Sequence, residues 1–309
     1  MKIVKPKFWS KKNSFFSLSL LPISFFLQIL NKIKQKITVE KIFKIPIICV
    51  GNIYLGGTGK TPLSIMIAKE LIRNKKKPAI IKKFYSEHTD EHNLIKDNIN
   101  CLFLNKQRSA AINNAEKEKY DVAILDDGFQ DFSIKKNMNI LCFNSKQLIG
   151  NGMTLPSGPL RENMNAIKKA HIVVINGNKN ELFENKILNI SNKIKIFYSK
   201  YSPSNIDEFK NKKLLAFAGI GNPNNFFELL EENNLDLKKK YAFPDHYEFN
   251  KSEILQMLDL SIKNNFQPIT TEKDYYRIKK YGFKNIKFLK IKLEIFEKEK
   301  FIKHILNYL

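Results

Sequence analysis

Gly56, Gly57, Gly59, Lys60 and Thr61 are the residues of this chain best suited to chemistry on a phosphate. They lie in PIICVGNIYLGGTGKTP, residues 46–62. Glycines let backbone N–H groups converge on an anion, and a helix N-terminus adds its partial positive charge. Lys60 suits the β- and γ-phosphates of a nucleotide, and the Thr61 hydroxyl suits Mg²⁺. The predicted nucleotide cradle comprises Tyr54, Leu55, Gly56, Gly57, Thr58, Gly59, Lys60 and Thr61. Its spacing departs from GxxxxGK[ST], because Tyr54 stands where the first glycine belongs. A bare glycine turn from strand to helix is the competing reading. The stretch points to a nucleotide and is silent on the reaction.

Acids come next. The apolar run Asp121 to Leu125 ends in Asp126-Asp127-Gly128-Phe129-Gln130. Carboxylates at the end of a buried strand, on one sheet with a phosphate loop, face the crevice where ligands bind in open α/β sheets. The expected metal set is therefore Thr61, Asp126 and Asp127, holding Mg²⁺. Arg161, in PSGPLRE, could complement a nucleotide phosphate or pair with a carboxylate, and its residue type does not choose. FPDHY places Asp245 beside His246, which is open to a catalytic or a structural reading. In KKFYSEHTDEH, residues 82–92, His88, Asp90 and His92 alternate. No third neutral ligand with zinc spacing accompanies them, so a charged loop is expected there.

These groups need elements to hold them. Ile45, Ile47, Ile48 and Val50 read as a buried parallel strand ahead of the glycines, with a helix from Leu63 to about Arg73 behind. Further strands are expected at Pro78–Ile81, Cys101–Leu104, Asp121–Leu125, Asn139–Phe143 and Ile172–Ile175, with a helix over Arg108–Lys119. Periodicity is lost around Ser202 to Asn211. LLAFAGIGNP then opens a second α/β part, where Gly219 and Gly221 fit tight strand-to-helix packing better than a dinucleotide site. A helix is expected from near Lys251, and Thr270 or Thr271 is a natural N-cap for another. The predicted fold is α/β: a P-loop NTPase-like, mostly parallel sheet domain (37–205), a smaller C-terminal α/β domain (206–309) and an N-terminal membrane-interface helix (1–36).

The 309 residues suffice for two such domains, and the formal net charge of +23 favours anionic partners. The lysines are dispersed and no nucleic-acid module is recognisable, so no specific nucleic acid is expected. The N-terminal apolar run Phe15 to Leu30 is interrupted by Pro22, flanked by lysines and rich in aromatics. It falls short of the roughly 20 residues of a spanning helix, and no signal-peptide cleavage site follows it. Lying on an anionic membrane surface is the expectation, and packing over the core is the alternative. Cys49, Cys101 and Cys142 lack metal-ligand spacing and read as buried reduced thiols.

VGNIYLGGTGKTP, DDGFQ, PSGPLRE, FAGIGNP, FPDHY and TEKD, in that order, resemble the tetraacyldisaccharide 4'-kinase family, the lipid A 4'-kinases of Gram-negative bacteria. The resemblance covers most of the chain, and the family shares the shifted loop at Tyr54. It implies a kinase on the cytoplasmic face of the inner membrane, using ATP and Mg²⁺, with an acylated disaccharide 1-phosphate lipid as acceptor and no protein partner. It further implies Lys60, Asp90 and His246 as catalytic residues, Asp90 and His246 acting together on the acceptor hydroxyl. By this reading Asp90 lies in the first domain and His246 in the second, so the two meet on domain closure. The chain departs from the family's Arg-Gly-Tyr run and Gly-Asp-Glu-Pro, showing Lys83-Phe84-Tyr85 and Thr89-Asp90-Glu91-His92 after a shortened connection. A membrane-associated switch ATPase of the partitioning type is the alternative. It needs a signature lysine where Tyr54 and Leu55 stand.

Overall fold

The computed structural model describes residues 6–86, 89–245 and 247–309. Two helices open it, α1 (Phe15–Ser19) and α2 (Leu21–Ile37). Strands β1 (Ile47–Gly51), β2 (Pro78–Lys83), β3 (Leu102–Asn105), β4 (Val122–Asp126), β5 (Met138–Asn144), β6 (Ile172–Asn176) and β7 (Lys195–Pro203) follow. Among them run α3 (Lys60–Arg73), α4 (Thr89–Asn98), α5 (Arg108–Lys117) and α6 (Glu181–Ile190). Next come β8 (Lys213–Ala218), α7 (Pro223–Glu232), β9 (Asp236–Ala242), α8 (Lys251–Asn264), β10 (Gln267–Thr271), α9 (Glu272–Ile278) and β11 (Lys287–Leu289). The chain finishes with β12 (Ile291–Ile295) and α10 (Lys298–Leu306).

The first sheet has eight strands in the order β12-β7-β6-β5-β1-β4-β2-β3. From β7 to β3 every neighbouring pair is parallel. Parallel strands need crossovers, which cover both faces, so β1 and β4 are buried at every position and read as unbroken apolar runs. Their register sets Val50 beside Asp126, which brings the acid to the strand end where the glycine loop begins. All three cysteines are buried free thiols, and burial pushes Cys49 up to about 12.

The second sheet, β11-β10-β8-β9, is also parallel. Its central strand β8 alternates by residue. Leu214, Ala216 and Ala218 pack with Phe226, Phe227 and Leu230 of α7, while Leu215 and Phe217 pack with Phe249, Ile254 and Met257. Asn250 and Glu253 form a capping box that starts α8.

The chain divides into two compact units that are not consecutive in sequence. One holds residues 6–85, 99–201 and 293–309, the other α4 and residues 202–292. This differs from a single cut at 205, and it puts Asp90 in the unit of β8 to β11. The stretch expected as a charged loop, residues 82–92, begins in β2 with Lys82 and Lys83 and ends in α4 from Thr89. Thr89, Asp90 and Glu91 occupy its first turn, where carboxylates favour a helix N-terminus. An ion pair and a hydrogen bond fasten α4 to its own unit: Lys273 reaches Glu91 at 2.5 Å, and the Tyr276 hydroxyl donates to Asp97.

The N-terminal helices dock by their polar side. Ser24 is buried and donates to the Thr154 carbonyl at 3.0 Å and to Ser157 at 2.7 Å, and Gln28 donates to Thr154. Trp9 is buried and its Nε1 donates to the Pro156 carbonyl. Phe15, Phe16, Phe25 and Phe26 point outward, each more than half exposed. Among the described residues no helix is long and apolar enough to cross a membrane.

Phe143 is fully buried in β5 and meets Phe183 of α6 edge-on, centroids 5.1 Å apart. Phe143→Ala is expected to cost about 3–5 kcal/mol, read as a lower urea midpoint at unchanged slope. A loss below about 1 kcal/mol would show that the core does not rest on this contact.

Candidate functional site

The glycine loop is held by groups outside the phosphate cradle. Gly59 caps α3 with φ +92°, a conformation that an L side chain resists, and a Cβ there would meet the Tyr201 hydroxyl at 2.9 Å. The Asn52 amide donates to the Gly56 carbonyl at 3.2 Å and to Thr58 at 2.9 Å. Gln147 donates to the Gly57 carbonyl at 3.0 Å. Tyr54 is buried and bridges to Leu160, and the Leu55 N–H donates to Pro159 at 2.8 Å. Tyr54 and Leu55 thus anchor the loop to the PSGPLRE segment. The backbone from Gly56 to Lys60 forms the open cradle at the N-terminus of α3.

Acids and cations meet at the end of β4. Asp126 is fully buried and accepts from Thr61 Oγ1 at 3.0 Å, Ser64 Oγ at 3.2 Å and Lys82 Nζ at 2.5 Å. Asp127 turns into the left-handed region at φ +57° and sends its carboxylate to other partners. Arg161 Nη1 donates to it at 3.0 Å, and Lys60 Nζ stands 3.6 Å away. Burial pushes the Asp127 carboxyl up, but the charges of Lys60, Arg161 and Lys82 outweigh that and hold it well below the usual carboxylate range. Arg108 secures the backbone by donating to the Asp127 carbonyl at 2.7 Å and to Asp131 at 3.2 Å. Thr61, Asp126 and Asp127 therefore present a hydroxyl and two carboxylates at one strand end. Among the described residues no three His, Cys, Asp or Glu gather to cage an ion. So sparse a protein donor set fits Mg²⁺, which binds through one or two carboxylates plus substrate phosphates and keeps waters.

The other unit carries a second charged cluster. Asp274 is fully buried and accepts from the Gly219 N–H at 2.9 Å and from its own N-cap, Thr271, at 2.7 Å. Arg277 donates to Asp274 at 2.6 Å, to the Gly219 carbonyl at 2.7 Å and, through its other nitrogen, to Asp90. Burial raises the Asp274 carboxyl, and Arg277 opposes that rise. A Cβ on Gly219 would stand 3.0 Å from Tyr247, so the glycine serves close packing, and GIGNP, FPDHY and TEKD converge here. Asp90 is almost fully buried within this cluster. His246 and His88 lie outside the described residues.

Arg161, left open by its residue type, lies on Asp127. Lys82, Arg108, Ser64 and Arg277 carry charge or hydrogen bonds in these clusters, yet no motif signals them. Lys82 had one legible hint, a lysine closing an apolar strand. An open cavity of about 300 Å³ lies past the end of β6 and beside the middle of β7, lined by Gly177, Asn178, Lys179, Tyr198, Phe296 and Glu297.

A family model described as tetraacyldisaccharide-1-P 4'-kinase (LpxK) matches residues 16–309. The tetraacyldisaccharide 4'-kinase of Pelagibacter ubique is 46% identical over 299 residues, covering 96% of this chain and 95% of the relative. That of Francisella tularensis subsp. novicida is 31% identical, covering 94% and 98%. A crystal structure of LpxK from Aquifex aeolicus in complex with ATP shares the fold. Its TM-score is 0.73 at 24% identity, covering 95% of this chain and 99% of that one.

The lowered Asp127 carboxyl links folding to pH. Its contribution is complete above the unfolded value of about 4 and is lost as pH falls through the lower folded value. Asp127→Asn is expected to lower stability at pH 7 and to flatten its decline between about pH 4 and pH 2, measured by urea unfolding across pH. An acid limb as steep as wild type would remove Asp127 as its source.

Proposed function

The chain belongs to the tetraacyldisaccharide-1-P 4'-kinase family, and on that basis we propose how its residues transfer the γ-phosphoryl group of ATP to the 4'-hydroxyl of a tetraacylated disaccharide 1-phosphate. The observation that carries the reading is the Gly56–Lys60 cradle set against Thr61 in the first turn of α3 and Asp126 and Asp127 at the end of β4. Phosphoryl transfer asks for positioning and charge stabilisation more than covalent help. Backbone N–H groups of the loop and the Lys60 ammonium hold the β- and γ-phosphates. Arg161, already turned to Asp127, adds a second fixed positive charge to the same place. Thr61 and the Asp126/Asp127 pair would hold Mg²⁺, whose charge would offset that of the phosphates. The cavity past the carboxyl end of β6 is the place given to the nucleoside.

The acceptor end rests on Asp90 and His246. Asp90 accepts the proton of the 4'-hydroxyl, with His246 assisting, and Arg277 fixes the carboxylate's orientation. The acyl chains stay with the lipid surface, and the outward aromatics of α1 and α2 rest on it, their flanking lysines against anionic headgroups. The enzyme works on the cytoplasmic face of the inner membrane, where ATP is supplied.

Purified protein with ATP, Mg²⁺ and the tetraacylated disaccharide 1-phosphate is expected to yield a product heavier by one phosphoryl group, read by mass. Asp90→Asn and His246→Ala should retain nucleotide binding and lose turnover by about 10²-fold or more. Rates within a fewfold of wild type would exclude both from proton transfer. Replacing Phe15, Phe16, Phe25 and Phe26 by Ser should release the protein from anionic vesicles in a sedimentation assay at unchanged stability. Undiminished binding would sink the membrane role of this face.

A further inference from the structure

We propose that Ser24 and Gln28 of α2 are positioning residues for the phosphate loop, acting through the segment 151–161. The inference rests on the cradle reading of Gly56 to Lys60 given above. Every contact in it lies within one compact unit. Ser24 Oγ accepts from the Ser157 N–H at 3.1 Å and sits 3.0 Å from the Thr154 carbonyl. Gln28 donates to Thr154 Oγ1 at 3.0 Å and accepts from Asn163 Nδ2 at 3.0 Å. Ser17 of α1, buried like Ser24, accepts from Asn151 Nδ2 at 3.1 Å. The segment so held is folded tightly on itself. The Leu155 N–H donates to the Leu160 carbonyl at 2.8 Å, and a Cβ on Gly158 would stand 2.1 Å from Asn151 Oδ1. Its far side carries the loop: the Arg161 N–H donates to the Ile53 carbonyl at 2.7 Å, and the Leu55 N–H to the Pro159 carbonyl at 2.8 Å. Gly56 follows at once.

The chemistry of the inward face gives this placement a consequence. A helix that only lies on lipid needs no directed bonds to the body beneath it. Apolar contacts would hold it there and let it slide, whereas hydrogen bonds of these lengths and angles fix a register. Removing the Ser24 hydroxyl leaves the Thr154 carbonyl and the Ser157 groups short of a buried partner, a cost the segment relieves by shifting towards water. Ile53 and Leu55 share backbone bonds with that segment and shift with it, which turns the N–H groups of the cradle away from the phosphate oxygens. The helix pair is therefore part of the nucleotide site, although no atom of it need touch nucleotide.

The full chain is titrated with a non-hydrolysable ATP analogue and Mg²⁺ as wild type, Ser24→Ala and Gln28→Leu. KM is measured for ATP and for the tetraacylated disaccharide 1-phosphate. Both variants are expected to bind the analogue about three- to tenfold more weakly and to raise KM for ATP by the same factor. KM for the acceptor should stay within about twofold of wild type. Ser24→Thr, which keeps the hydroxyl, should bind the analogue as wild type does. A merely structural role lowers the folded fraction, and with it the apparent kcat, but leaves KM for ATP in place. Gln28 is only partly buried, so its variant carries the test if Ser24→Ala does not fold. Analogue affinity and KM for ATP within about twofold of wild type in a folded variant overturn the proposal. So does an equal rise of both KM values, the mark of a general loosening. Either result leaves the kinase reading standing, whereas failure of wild type to bind the analogue sinks both.

Discussion

The carboxylate of Asp126 is the constraint on which the first unit turns. It sits at the end of a fully buried strand, so water cannot solvate its charge and the fold must supply every partner. Thr61 and Ser64 come from the first turns of α3, and Lys82 comes from β2. A charge buried without partners costs several kcal/mol, so these contacts tie helix and strand to the place of the Asp126 carboxylate. The glycine loop lies between the strand and helix so fixed. Its shape follows from where its two ends are held.

The second acid does different work although it is the next residue. A left-handed turn at Asp127 rotates its side chain away from Asp126, so two adjacent carboxylates escape mutual repulsion by facing separate cations. Arg108 holds that turn through the backbone carbonyl, and Arg161 reaches it from a loop whose own backbone pairs with the chain at Ile53 and Leu55. PSGPLRE is thus both a brace for the phosphate loop and the source of the guanidinium that meets Asp127. This explains how Tyr54 can stand where a glycine is common. Its ring fills the core, and its backbone is committed to the brace.

In the other unit a guanidinium takes the organising role. Arg277 joins two carboxylates from different elements and the backbone of Gly219, so one side chain sets the positions of Asp90, β8 and α9 together. At the N-terminus the usual amphipathic logic is inverted. Small polar residues face the body and large aromatics face outward, an arrangement that exposes apolar surface unless something apolar covers it.

The sequence by itself determined the strands from β1 to β6, the phosphate loop and the acid doublet. These rest on local signals: unbroken apolar runs for strands buried on both faces and glycines where φ must be positive; of the two N-cap candidates, Thr270 and Thr271, the fold took Thr271. Tertiary structure alone decided what the long side chains do. Arg161 resolved onto Asp127, Lys82 onto Asp126, and Arg277 onto Asp90 and Asp274, across separations in sequence that no periodicity encodes. It also moved α4 into the company of residues 202–292, because its acids find their cations on α9 and not on the strands that flank it in the chain. The reason is physical. Backbone propensity and strand burial are set by near neighbours, whereas a buried charge settles wherever the finished fold can bring an opposite one.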